Sequence, residues 1–103
     1  MTYTSISTLR PGARLQEAKT QAELEALMAE AFSVIAANGG ESVFAGADLA
    51  RGVNVSLTTY PDAASAAKSV TELTAKQLIE FESSGQFMSL EEWLPIAGPA
   101  MEG

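Results

Sequence analysis

Neither histidine nor cysteine occurs anywhere in the 103 residues, so the side chains left for chemistry are carboxylates, hydroxyls, two phenols, one indole, three lysine amines and a few guanidinium groups. That composition removes Ser-His-Asp triads, Cys-His nucleophile pairs, zinc fingers and imidazole-based metal sites. No GxGxxG and no GxxxxGK[ST] appears, so dinucleotide and P-loop binding have no support. The alternating Asp/Asn spacing of a calcium loop is also absent, and the sequence implies neither a metal nor a cofactor.

Four residues stand out as candidate ligand contacts: Phe44, Asp48, Tyr60 and Trp93. Aromatic side chains at strand ends can line a pocket between sheet and helices, where a flat apolar molecule stacks and a phenol orients it. Asp48 becomes a base only if buried beside a ligand; near a turn it is ordinarily solvated. Trp93 with Leu94 and Ile96 reads more simply as core or as a contact between subunits. Glu91 and Glu92 point to opposite faces if they lie in a strand, so they form no paired acid/base site. Arg10 and Arg14 flank a turn and are a weak anion signal. No catalytic residue emerges, and the sequence leaves open whether the protein is an enzyme.

These residues must be positioned by the elements that the pattern dictates. Thr2 to Leu9 is a strand stopped at Arg10-Pro11-Gly12. Thr20-Gln21-Ala22-Glu23 is a capping box opening a helix over about residues 21 to 38, closed by Asn38-Gly39-Gly40. Two strands, 42–49 and 52–60, form a hairpin. In the second, Val53, Val55 and Leu57 take one face and Asn54, Ser56, Thr58 and Tyr60 the other. The apolar set is expected to meet the helices. Pro61-Asp62 starts the second helix, whose apolar stripe runs from Ala63 to Phe81, opposite a solvated row of Lys68, Glu72, Lys76 and Glu80. Residues 87–96 read as the last strand, with a helical turn opened by the capping box Ser89-Leu90-Glu91-Glu92 as the competing reading.

The expected fold class is therefore α+β, a βαββαβ chain with a four-stranded antiparallel sheet and both helices on one face, the ferredoxin-like plan. One domain spans residues 1–97, and 98–103 form a flexible tail. The net charge of −7, from 13 acidic and 6 scattered basic residues, disfavours nucleic acid and anionic membranes as partners. No signal-peptide pattern and no apolar stretch of about 20 residues occurs, so the cytosol is the expected compartment.

The stretch Ala37-Asn38-Gly39-Gly40-Glu41, the hairpin, and Thr59-Tyr60-Pro61-Asp62-Ala63-Ala64 together resemble the dimeric α/β-barrel superfamily, in particular its small GYD-type, DUF1330-type and antibiotic-biosynthesis-monooxygenase-type domains. The resemblance covers nearly the whole chain. It implies a homodimer paired sheet to sheet, through the face of Asn54, Ser56, Thr58 and Tyr60, with a monomer as the alternative. Lacking histidine, the chain departs from members that hold haem or transfer protons through that residue. Two functions follow as expectations: an association or ligand-sensing module, or a cofactor-free enzyme or binding protein for a small apolar or aromatic molecule.

Overall fold

A computed structural model describes residues 2–102. The element order is β1 (Tyr3–Pro11), α1 (Ala13–Gln16), α2 (Gln21–Ala37), β2 (Glu41–Asp48), β3 (Val53–Tyr60), α3 (Ala63–Ala75), β4 (Ile79–Gln86) and α4 (Leu90–Glu102). The four strands form one antiparallel sheet in the order β2-β3-β1-β4. Among the described residues no helix is long and apolar enough to cross a membrane.

Local chemistry accounts for most of the boundaries. Thr20 Oγ1 accepts from the Glu23 amide at 3.1 Å, and the Glu23 carboxylate accepts from the Lys19 amide at 2.9 Å, so two free amides at the head of α2 are satisfied. Gly39 takes φ 76° just beyond the helix, where a side chain would be strained. Asp62 caps α3 by accepting from the Ser65 amide at 2.7 Å. That bond holds the Asp62 carboxyl below its ordinary pKa.

The second helix ends earlier than its apolar period suggests. Gln77 adopts φ 57°, Leu78 is fully buried, and Ile79 to Gln86 form β4 rather than continuing the helix or preceding the last strand. The reason lies in the first turn of the chain. Gly12 passes against this corner, donating to the Leu78 carbonyl at 2.9 Å, while Arg14 donates to the Gln77 carbonyl at 3.0 Å. Phe81 therefore lies opposite Leu9 in the sheet, and Glu80 opposite Arg10.

The segment read as the last strand is helix α4. Ser89 Oγ accepts from the Glu92 amide at 3.2 Å and the Glu92 carboxylate accepts from the Ser89 amide at 3.5 Å and its hydroxyl at 3.1 Å, the reciprocal cap that the alternative reading described. Residues 98–102, expected as a tail, belong to the same helix.

The faces of the sheet are also the reverse of the expectation. Tyr3, Ser5 and Ser7 lie opposite Tyr60, Thr58 and Ser56, and Ser7 lies opposite Ser84 on its other side, so all project to one face. That face lies beneath α2 and α3: Ser5, Ser7, Thr58 and Tyr60 are buried. The open face carries Thr4, Ile6 and Thr8 of β1, Val55, Leu57 and Thr59 of β3, and Phe44 of β2. A pairing of subunits through Asn54, Ser56, Thr58 and Tyr60 is thus ruled out by the fold, because helices occupy that side. Alternation gives two faces but not which one is inward.

Two of the inner hydroxyls are bonded within the sheet. Ser5 donates to the Thr58 carbonyl at 3.3 Å and Ser7 Oγ lies 2.9 Å from Ser84 Oγ. The apolar core sits to one side of them, where Ala31 and Val34 of α2 meet Leu73 of α3 and Leu78, flanked by Leu27, Ile35, Ile79 and Phe81.

Two substitutions test this corner. A Cβ on Gly12 would stand 2.4 Å from the Gln77 carbonyl oxygen, so Gly12→Ala is expected to cost about 1–3 kcal/mol. Gln77→Gly relieves a left-handed strain of about 1–2 kcal/mol at an entropic cost of about 0.5–1, so it is expected to stabilise by up to about 1 kcal/mol. Both are read from urea unfolding midpoints.

Candidate functional site

The sheet–helix layer is uneven. Leu73 and Leu78 hold α3 to the β4 side, whereas α2 stands off from β2 and β3. The gap is a cavity of about 320 Å³. Its walls are Leu24, Met28, Ala31, Phe32 and Ile35 of α2, with Leu9, Leu15 and Ile79 closing one end. Its floor is polar: Ser56, Thr58 and Asn54 of β3 and Ser42 of β2.

This wall exists because α2 carries two apolar stripes. Leu27, Ala31 and Val34 turn toward α3, while Leu24, Met28, Phe32 and Ile35, spaced by four, four and three, flank the opening. Leu24, Met28 and Phe32 are 40, 43 and 55% exposed, large values for side chains that border a cavity. A stripe wider than a two-helix contact needs was the signal in the sequence.

Chemically the cavity offers apolar walls with hydroxyl and amide groups at the base. Such groups donate and accept hydrogen bonds and orient a ligand, while their ordinary ionisation lies far from neutrality. The one charged group lining it is the Arg10 guanidinium, paired with Glu82, and no carboxylate, phenol or amine lies among the lining residues. Among the described residues no group of three or more acidic side chains could hold a metal ion.

The four candidate ligand contacts are not gathered in this cavity. Tyr60 is buried on the helix side at the far end of β3. Phe44 lies on the open face, opposite Leu57, and is 54% exposed. Asp48 ends β2 and accepts from the Arg51 amide at 3.3 Å, a turn role. Trp93 lies on α4 and is 46% exposed.

Tyr60 belongs to a polar knot instead. Ser69 of α3 is fully buried, and Asn38, at the end of α2, donates from Nδ2 to the Val34 carbonyl at 2.9 Å, with Ser69 Oγ at 3.2 Å and the Glu72 carboxylate at 3.1 Å. Burial pushes the Tyr60 phenol above its ordinary pKa, and the Ser69 hydroxyl offsets part of that. The knot joins α2, α3 and β3.

The arginines are already paired. Arg14 makes a two-pronged contact with Glu30, both bonds 2.9 Å, which holds the Glu30 carboxyl below its usual range. Arg10 pairs with Glu82 at 3.0 Å, and Arg51 bonds the other oxygen of the same carboxylate. Neither turn arginine is left free for an anion.

Comparison with protein-family models, with curated proteins and with solved structures finds no match for this chain.

Tyr60 generates a pH prediction. A phenol whose folded pKa is raised binds its proton more tightly folded than unfolded, so its contribution is complete below about pH 10 and is lost as pH rises through the folded value. Denaturation across this range is expected to show a steep alkaline fall in stability that is shallower in Tyr60→Phe. Equal slopes in the two proteins would show that the phenol titrates alike folded and unfolded.

Proposed function

We propose that this chain is a ferredoxin-like domain of the dimeric α/β-barrel type that binds a small, largely apolar molecule between α2 and the sheet, and acts by sensing or association rather than by turnover. The order βαββαβ, the strand order β2-β3-β1-β4 and the two long helices on one face support the fold reading. The observation that carries the function is the 320 Å³ cavity with its apolar walls and its floor of Ser56, Thr58 and Asn54. Its volume falls at the small end of ligand pockets, and its polar groups are few: the floor on β2 and β3, with Arg10 and Gln16 at one end.

A binding role fits better than catalysis because the lining residues include no group whose ionisation could be matched to proton transfer near neutral pH. A ligand with one or two hydrogen-bonding atoms on an otherwise apolar skeleton would match the floor and walls together. The apolar open face, with Ile6, Val55, Leu57 and Phe44, supports pairing of two copies sheet to sheet. A cytosolic setting accords with the acidic charge and the absence of cysteine.

The test uses N-phenyl-1-naphthylamine, a neutral aromatic probe whose fluorescence rises in apolar surroundings. Saturable binding of one probe per chain is expected, and Ser56→Leu, which fills the floor, should weaken it by roughly tenfold or more, about 1.4 kcal/mol. Leu49→Ser, at the exposed hairpin turn and outside the cavity lining, should leave it unchanged. Absence of saturable binding, or indifference to Ser56→Leu, would sink the ligand reading.

A further inference from the structure

Helix α4 is unaccounted for by everything above. Leu90, Trp93, Leu94, Ala97 and Met101 follow at spacings of three and four and form one stripe. No residue of α4 is buried, and Leu90 and Met101 are 70% and 83% exposed. The helix makes at most marginal contact with the rest of the chain.

Such a helix cannot hold itself. Pro95 and Pro99 lie inside it and lack the amides that would bond the carbonyls of Glu91 and Pro95, each at an intrinsic cost of about 3 kcal/mol relative to alanine. Isolated helices below about 12–15 residues are marginal in water even when rich in alanine, and α4 has 13. The Ser89–Glu92 cap returns only about 1 kcal/mol. A helical α4 therefore requires packing from a surface that this chain does not supply.

The exposed area says how large that surface is. The chain exposes 6867 Å², whereas a compact monomer of 10.8 kDa exposes about 5,500 Å². The excess, about 1,300 Å² per chain, is of the size that an obligate dimer buries on each subunit. The radius of gyration is 15.7 Å against about 13 Å for a compact chain of this length. A helix of 13 residues is about 20 Å long, which accounts for much of the 57 Å longest dimension.

Charge excludes a lipid surface, and apolar area selects a second copy. The helix carries Glu91, Glu92 and Glu102 and no lysine or arginine, and the chain is at −7, so an anionic lipid surface would repel it. A second copy offers an uncharged apolar field in Ile6, Val55, Leu57 and Phe44. We infer that α4 is an intermolecular arm: its Leu90, Trp93 and Leu94 stripe packs on a second copy of this chain and enlarges the sheet-face interface. The inference rests on the dimer reading above but makes a separate demand on α4.

Trp93 is the sole tryptophan, so its emission reports on the arm directly. In the full-length protein the emission is expected to be blue-shifted in the dimer and to move red on dilution in step with the loss of dimer mass by light scattering. Leu94→Asp should raise the dimer dissociation constant at least 100-fold while the far-ultraviolet circular dichroism of the sheet persists. Leu57→Arg, on the open face, tests the sheet pairing independently. If Leu94→Asp leaves the constant within twofold, or the dimer shows the red emission of a free indole, the arm is overturned and sheet pairing stands. If the dimer survives Leu57→Arg but not Leu94→Asp, the arm holds the pair and sheet pairing fails. A monomeric wild type overturns both, as does a blue shift that follows added phosphatidylglycerol vesicles rather than protein concentration.

Discussion

A row of hydroxyls beneath the helices governs how this fold is held together. Ser5, Ser7, Ser56 and Thr58 occupy the inner face of β1 and β3, where most α+β sheets place Val, Ile or Leu. Hydroxyls cost little there because Ser5 bonds the backbone and Ser7 bonds Ser84, and no buried side-chain polar atom among the described residues lacks a partner. They provide little adhesion, however. Burial of apolar area at about 25 cal/mol per Å² is the main attraction between layers, and a serine brings almost none.

Adhesion therefore falls on the β4 side, where Leu73, Leu78, Ala31 and Val34 meet, and on the Asn38–Ser69–Glu72 knot with Tyr60 beside it. With its attachment at that flank, α2 is free to stand away from β2 and β3, and the cavity is the space left between them. The other consequence appears across the sheet. The β-branched and apolar residues that the inner face did not take, Ile6, Val55, Leu57 and Phe44, are directed outward. Val53 alone on that side is fully sheltered, 3% exposed, at the end of the sheet where Glu82 bridges Arg10 and Arg51. Exposed ion pairs of this kind contribute about 1 kcal/mol at most, so their value here is in defining a polar rim.

Much of this was legible in the residues. The capping groups Thr20, Asp62 and Ser89, the Gly39 closure and the hairpin strands are local chemistry, and local chemistry reads well from a sequence. What was not legible depends on contacts distant in the chain. The end of α3 is set by Gly12, some 65 positions earlier, and Leu78 and Phe81 fit a helical period as well as a strand. In residues 87–96 the apolar run of Phe87, Met88, Leu90, Trp93, Leu94 and Ile96, with Pro95 inside it, suits a strand as well as a helix, and only the capping box at Ser89 points to the helix. The inward face of β3 could not be inferred, since Val53, Val55 and Leu57 look like core to any argument from one chain. Of the candidate site residues, only Tyr60 lies on the helix side, and the cavity is built from residues whose types carry no chemical signature: Leu24, Met28, Phe32 and Ser56.

A sheet with different duties on its two faces needs its register fixed, because a slip of one residue would exchange hydroxyls for aliphatics along the whole strand. Two irregularities supply that fixation. Val43 is an extra residue in β2 between the Ser42–Thr58 and Phe44–Leu57 pairs, and Glu82 is an extra residue in β4 between the Thr8–Ser83 and Leu9–Phe81 pairs. Without the first, Phe44 would turn toward the cavity floor; without the second, Phe81 would leave the core cluster for the open face. The second bulge also sets the carboxylate that both Arg10 and Arg51 grip, so the residue that pins the register of β4 is the one that closes the rim of the open face. Ser56 and Leu57 are neighbours in β3, and a single strand thickness separates the floor of the cavity from the surface offered to a second copy.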